Sequence, residues 1–324
     1  MDIRQLRYFV HIVDCGSLSR AARELYVAQP ALSQQIAKLE AEVDRPLLNR
    51  SSKGVVPTDN GVALYHHARF MLRQFDQSVE IARGEAGPVQ GVVTVGLPAT
   101  TVAAIGLPLV KRLRERFPNI LLNVVEGMSG HIGQLMRLGQ LDMAVLFSRE
   151  PALEAIIEPL MVEELFLILP EQSWLVPGGV DHVKLAEAAA LPLILPTRDH
   201  GLRQRIEAEF ENRGLSAGVV AQVDSLSLVM DCVHDGMGAT IKPMGAIMKE
   251  SAGGRRFRHL AFRDLVFRRR NFLYTLPPGQ LTPAATVVVA ELRETVRLLI
   301  SDKIWPGFEG VFPEPSLFPE AIAS

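Results

Sequence analysis

The sequence is short of the features that would place it outside a reducing, aqueous compartment. It has two cysteines in 324 residues, Cys15 and Cys232, far apart and in no CxxC or metal-ligand spacing. That excludes a disulfide framework, leaves no metal site in view, and makes each cysteine a small buried apolar filler. No apolar run is long enough to span a bilayer. The start, Met1-Asp2-Ile3-Arg4-Gln5, lacks the basic, apolar and small-residue zones of a secretory leader. A cytoplasmic protein with no membrane partner is expected. Net charge is also scarce: 34 Lys and Arg against 36 Asp and Glu give −2. A chain that coats nucleic acid by bulk electrostatics is excluded, so any contact with DNA must come from a local surface.

Catalytic signatures are missing too. There is no GxSxG, HExxH, Walker loop or strand-linked GxGxxG. Asp231, Cys232 and His234 are close in sequence, but on one helix Cys232 and His234 point roughly 200° apart and cannot form a nucleophile and base. Core packing is the expectation for them. No catalytic residue, enzyme activity or cofactor is expected. What is present is 48% hydrophobic and 22% charged residues, the composition of a folded chain, and a length that calls for two or three compact units.

Residues 1–57 read as a DNA-reading head. Leu18, Ala21, Ala22 and Leu25 share one helix face behind the N-cap Ser17. After Tyr26-Val27-Ala28, Leu32, Ile36, Leu39 and Val43 define a second helix with Pro30 in its first turn. This pair is a helix-turn-helix. Pro30, Ser33, Gln34 and Lys38 lie off the apolar stripe, Gln29 flanks them at the N-terminal end, and with Ala31 they make the expected DNA contacts: amides, a hydroxyl and an ammonium suit the edges of bases and phosphates in a major groove. Two short strands around Ser51-Ser52-Lys53-Gly54 form a wing that presents Arg50 and Lys53 to the DNA backbone or minor groove.

Residues 58–89 read as a dimerisation arm and hinge. Behind the N-cap Thr58, the residues Gly61, Tyr65, Ala68, Leu72, Phe75, Val79 and Ala82 recur at alternating steps of four and three. A helix from Thr58 to Arg83 would be about 39 Å long. Tyr65, Ala68, Leu72, Phe75 and Val79 are therefore expected to pair with a second copy, which also supplies two half-sites. His66 and His67 diverge on a helix and are expected at the surface.

Residues 90–302 alternate strand and helix. Strands at Val92–Gly96, Ile120–Val125 and Asp142–Phe147 enclose helices over 102–115 and 129–138, a βαβαβ run. A second set follows: strands Leu165–Leu169, Leu193–Leu195, Val219–Val223 and Ala239–Ile241, with helices over 200–213 and 226–235. Strands Phe262–Phe267 and Phe272–Leu276 and a helix over 284–300 return the chain to the first set. Two lobes result, lobe I about 90–161 with 266–302 and lobe II about 162–265. The cleft between them is the expected ligand site. Groups at strand ends and helix starts select Thr100, Thr101, Ser129, Ser148, Arg149, Thr197, Arg203 and Ser225 as effector contacts, fit for a small anion such as a carboxylate.

These stretches resemble the LysR-type transcriptional regulators. Leu6-Arg7-Tyr8-Phe9, Gly16-Ser17-Leu18, Ala28-Gln29-Pro30-Ala31-Leu32-Ser33, Leu39-Glu40, Leu47-Leu48-Asn49-Arg50 and Pro57-Thr58-xx-Gly61 carry the match. Gln34-Gln35, Gly139-Gln140-Leu141-Asp142 and Gly236-Met237-Gly238 are most similar to the nitrogen assimilation control subgroup. The resemblance implies an all-α winged helix-turn-helix with a long linker helix, then a two-lobed α/β effector domain like that of periplasmic binding proteins. It implies double-stranded DNA with an interrupted dyad, a small-molecule effector, a homodimer or homotetramer, and RNA polymerase as partners. A solute-binding receptor would share the two lobes, but it calls for an export signal and no wing. Residues 303–324, with Trp305, Pro313, Pro315 and Pro319, depart from the family, and no regular structure is expected there.

Overall fold

The computed structural model describes residues 1–51, 54–83, 88–149, 155–277, 280–302 and 306–311. The chain divides into two units, Met1–Pro88 with Leu135–Leu141, and Val89–Gln134 with Asp142–Ser324.

The first unit opens with α1, Ile3–Cys15, capped by Asp2 and Gln5 in a reciprocal box. Its buried stripe of Leu6, Phe9, Ile12 and Cys15 faces α2, Leu18–Glu24, and α3, Gln29–Val43. Ser17 caps α2 as its sequence position predicts. Between α2 and α3 the chain turns through Tyr26, held at φ 53° and 96% exposed. The wing is β1, Leu48–Ser51, paired antiparallel with β2, Gly54–Pro57. Glu40 fixes its root: one carboxylate oxygen accepts from the amides of Leu47 and Leu48 at 2.8 and 3.1 Å. The helix α4, Asp59–Arg83, begins at Thr58, whose hydroxyl accepts from the Gly61 amide. At Gly61 a Cβ would stand 2.0 Å from the carbonyl of Leu47, so only glycine lets α4 pass the wing so closely.

The α4 periodicity serves two purposes rather than one. Ala68 is fully buried against its own chain, and the Tyr65 hydroxyl bonds Asp14 of α1. The first turns of α4 thus pack on the reading head, which corrects the expectation for Ala68, buried within its own chain, while Tyr65 stays half-buried at the edge. Leu72 is half-buried and Phe75 is 45% exposed. Val79 lies on α4, but its side chain falls outside the described residues. Lys53 does as well.

The second unit is an α/β structure with two apolar cores. β3, Gly91–Pro98, leads through the short α5, Ala99–Thr101, and a π turn, Val102–Gly106, to α6, Leu107–Arg116. The helix expected over 102–115 therefore starts earlier and is interrupted. Pro108 cannot donate to the carbonyl of Ala104, and the wider turn takes up the missing bond. β4, Ile120–Gly127, α7, Ser129–Arg137, and β5, Met143–Leu146, complete parallel pairing in the order β4-β3-β5.

The long β6, Ile156–Pro170, crosses into the second core. There follow β7, His182–Val183; α8, Leu185–Ala189; β8, Leu193–Leu195; α9, Gly201–Glu211; and β9, Val219–Gln222. Then come α10, Leu226–His234; β10, Thr240–Pro243; α11, Gly245–Ala252; and β11, Phe257–Phe262. β12, Arg268–Thr275, returns the chain antiparallel to both β6 and β5, and α12, Pro283–Ser301, packs on the first core. A last strand, β13, Phe308–Gly310, pairs with β6.

The strand expected over Phe262–Phe267 is in fact β11, which ends at Phe262. The chain bends at Arg263 and Asp264 because each is claimed by α8. Arg263 pairs with Glu187 at 2.7 Å, and the Asp264 carboxylate accepts from the Leu185 amide at 3.0 Å. Phe262 and Phe267 then meet edge to face, with centroids 5.7 Å apart. Within 303–324, the stretch 306–311 is partly regular, contrary to expectation, because the amide of Glu164 and strand β6 offer it an edge. No helix among the described residues is long and apolar enough to cross a membrane.

Candidate functional site

The first unit presents one polar helix face. Leu32, Ile36 and Leu39 of α3 are fully buried. Gln29, Pro30, Ala31, Gln34 and Lys38 are exposed, and Ser33 is half-buried on the same outward side. Two contacts organise this face. The Ser19 hydroxyl of α2 donates to the Gln29 side-chain oxygen at 3.1 Å, and Arg50 of the wing donates to the Ser33 hydroxyl at 2.8 Å. Arg50 is thereby held beside the helix, so the wing and α3 form one surface. The sequence reading placed Ser33 and Arg50 separately, and nothing in the spacing of the two signalled this bond.

In the second unit a cavity of about 740 Å³ opens between the two cores. Thr100, Ser129 and Ser225 line it, each at a helix start. The other five expected contacts are placed elsewhere. Thr101, the last residue of α5, is buried, and its hydroxyl has no partner among the described residues. Ser148 and Arg149 are exposed, with Arg149 over the Phe272 ring at 5.5 Å. Thr197 is tied to Asp224 at 2.9 Å. Arg203 is 3% exposed, pairs with Glu207 and donates to the carbonyl of Pro196. A basic residue on a buried helix face was read as a ligand contact when it is a packing and pairing residue of α9.

The residues that give the cavity its charge were not visible as a motif. Arg269 of β12 is 7% exposed and donates through Nε and a terminal nitrogen to one oxygen of the fully buried Glu163, at 3.1 and 2.6 Å. Asn271 donates to that same oxygen at 2.9 Å. Arg269 also donates to the Thr100 hydroxyl at 3.0 Å and lies 3.5 Å over the Phe147 ring. These partners neutralise and orient the guanidinium along one wall.

Lys242 of β10 differs. It is 4% exposed, lines the cavity, and has no hydrogen bond or ion pair among the described residues. Burial first, and then the Arg269 charge, lower its pKa from 10.5 to about 8, against a smaller upward pull from Asp224. His200, also on the wall, accepts the Leu202 amide on Nδ1. Burial and then Lys242 push its pKa down to about 4, so it is neutral and offers Nε2–H as a donor. An ammonium, an imidazole N–H, hydroxyls and the N-terminal ends of α7 and α10 face one space, which Glu126, Asp224 and Glu250 also line. Asp224 is engaged by Thr197 and Glu250 by Arg255, so the part of the wall around Lys242 and His200 is the part suited to an anion. Lys242 and Arg269 fall just outside the strands expected over Ala239–Ile241 and Phe272–Leu276, so the strand pattern gave no signal for either.

Of the trio Asp231, Cys232 and His234, only Cys232 packs against a core. Asp231 pairs with Arg255, His234 is exposed with its ring edge toward Phe257, and Cys232 is half-buried. Each side chain has a neighbour outside α10 to meet, which the helix geometry alone could not reveal.

Residues 3–62 match the bacterial regulatory helix-turn-helix model of the lysR family, and residues 86–297 match the LysR substrate binding domain. The nitrogen assimilation regulatory protein nac of Klebsiella aerogenes is 39% identical over 247 residues, covering 76% of this chain and 79% of its own. Full-length OxyR C199D of Pseudomonas aeruginosa superposes with a TM-score of 0.74 at 20% identity, covering 97% and 99% of the two chains. CbnR, solved in complex with its target DNA, gives 0.62 at 21% identity, covering 91% and 100%. The first unit's helix-turn-helix and the second unit's two cores are thus matched in order and nearly end to end. Its sequence is similar to the nitrogen assimilation regulatory proteins, and the chain belongs to the LysR family of DNA-binding transcriptional regulators.

Proposed function

We propose that this regulator reads an interrupted dyad through Gln29, Pro30, Ala31, Ser33, Gln34 and Lys38 of α3, with Arg50 and Lys53 of the wing on the backbone, and that a small anion in the second-unit cavity sets its output. The DNA reading is supported by the single polar face of α3 and by the Arg50 to Ser33 bond. Leu72 and Phe75 on the far turns of α4 are left to pair with a second copy, giving a dimer or a dimer of dimers. Work in the cytoplasm, contact with RNA polymerase and a part in nitrogen metabolism rest on the family likeness and on the nac relative's name.

The observation that carries the effector reading is Lys242, a largely buried lysine on a cavity wall with no hydrogen bond or ion pair among the described residues. Leaving it so costs stability that a bound carboxylate would return. Anion binding near Thr100, Ser129, Ser225, His200 and Lys242 would draw the two cores together and so change DNA geometry. The test is a thermal-shift screen of small carboxylates beside their amides and alcohols. Stabilisation by carboxylates alone, lost in Lys242→Met, is the expected result. Stabilisation that survives Lys242→Met, or that favours the neutral counterparts, would overturn the reading.

A further inference from the structure

The reading head carries a second polar cluster that DNA recognition does not use. His11 and Cys15 stand one helical turn apart on α1, and Glu24 closes the end of α2. The Cys15 thiol donates to Glu24 Oε2 at 3.2 Å, and His11 Nε2 lies 3.0 Å from that same oxygen. His11 Nε2 is shielded from solvent and makes no hydrogen bond among the described residues, although it lies close to the carboxylate. The imidazole and the thiol thus gather around one carboxylate oxygen, Glu24 Oε2. Among the described residues no other trio of His, Cys, Asp or Glu brings its ligand atoms within 4.8 Å of one another.

We propose that His11, Cys15 and Glu24 form a site for a borderline divalent cation, zinc foremost. An imidazole nitrogen, a thiolate and a carboxylate oxygen are a zinc donor set, and a fourth position would be left for water. Tetrahedral zinc holds such donors about 3.4 to 3.6 Å apart, given metal bonds of roughly 2.0 to 2.3 Å. The Cys15 to Glu24 and His11 to Glu24 separations of 3.2 and 3.0 Å need open by only a few tenths of an ångström, and the third pair of donor atoms lies within 4.8 Å. Binding releases the thiol proton to solvent, and the thiolate and carboxylate together balance the two charges of the ion. Arg20 lies 4.0 Å from the other oxygen, Glu24 Oε1, and donates to the carbonyl of Cys15, which leaves Oε2 turned to the site. Cys15 is 8% exposed, while the half-exposed Glu24 side gives an ion its way in. The site would join α1 to α2 and, through the Ser19 to Gln29 bond, bear on the start of α3.

The test uses full-length protein stripped with a chelator and titrated with cobalt(II), then with zinc against a chromophoric competitor. A one-to-one complex with a thiolate-to-cobalt charge-transfer band is expected. Cys15→Ser should abolish that band and Cys232→Ser should keep it. Zinc affinity should fall at least about tenfold in His11→Ala and in Glu24→Gln. Because Cys15 is buried, these two more exposed variants decide the matter should Cys15→Ser fail to fold. Absence of the band at saturating cobalt, its loss with Cys232→Ser, or unchanged zinc affinity in His11→Ala and Glu24→Gln would each overturn the proposal.

Discussion

Arg50 at the wing and Ser33 on α3 are joined by a 2.8 Å hydrogen bond, so the two reading elements are coupled through their own side chains. A contact of this kind fixes the arginine's direction and lowers the side-chain entropy that docking must overcome.

Replacing Ser33 or Arg50 by alanine should therefore give effects on operator affinity that do not add. A coupling of about 0.5 to 3 kcal/mol is expected in the double-mutant cycle. Gln29→Ala, by contrast, should relax base preference by about 1 to 3 kcal/mol while sparing random duplex. Titrations on operator and scrambled DNA check both statements. Strict additivity, or equal loss on both duplexes for Gln29→Ala, would show that these side chains do not work as assigned.

Lys242 makes a prediction opposite in sign to most substitutions of a binding residue. In ligand-free protein at neutral pH, Lys242→Met should raise stability, by of the order of 2 kcal/mol, because it removes a largely buried charge that has no hydrogen bond or ion pair among the described residues. The wild-type pKa of about 8 lies below the unfolded value of 10.5, so between these limits the unfolded chain holds more protons. The contribution of this group to stability is then lost as pH falls through 8 and grows as pH rises toward 10.5. Anion affinity runs the other way, steady below pH 8 and falling by up to about tenfold per unit above it. Denaturant melts and calorimetry across pH 7 to 10 would read both; a wild type and a Lys242→Met variant with parallel profiles would contradict them.

The two halves of α4 should respond differently to the same insult. Ala68→Asp places a carboxylate in the reading-head core and should unfold that unit, at a cost of several kcal/mol. Leu72→Asp should leave it folded and yield monomers in light scattering. A dimer that persists in Leu72→Asp with intact circular dichroism would mean that another surface carries association.

Much of this architecture is legible in the residues, and the exceptions have physical causes. Period alone placed α2, α3, α4 and the βαβαβ run, since Leu32, Ile36 and Leu39 or Val93, Val95 and Leu97 have one face to bury. Period could not say what a face is buried against, and so Ala68 was read as a surface between copies when α1 already covers it. The strand-end rule found Thr100, Ser129 and Ser225, which depend on local helix starts. It missed Arg269 and Glu163, which are 106 residues apart and meet only through β12 and β6. It chose Arg203 because a charge at a helix start is visible locally, whereas the Glu207 that occupies it has to be seen in place.

The strand β13 has a mechanical consequence. Its Phe308 stands opposite Glu163 and its Gly310 opposite Met161, while Glu309 pairs with Arg268 at 2.8 Å. These residues follow the end of the matched family region at 297, yet they lie along β6 where it leaves one core for the other. The passage between lobes is in this way a splinted ribbon, stiffer than the bare pair of β6 and β12. Any opening or closing of the cavity must flex three strands together, with the buried Glu163 carboxylate as the fulcrum.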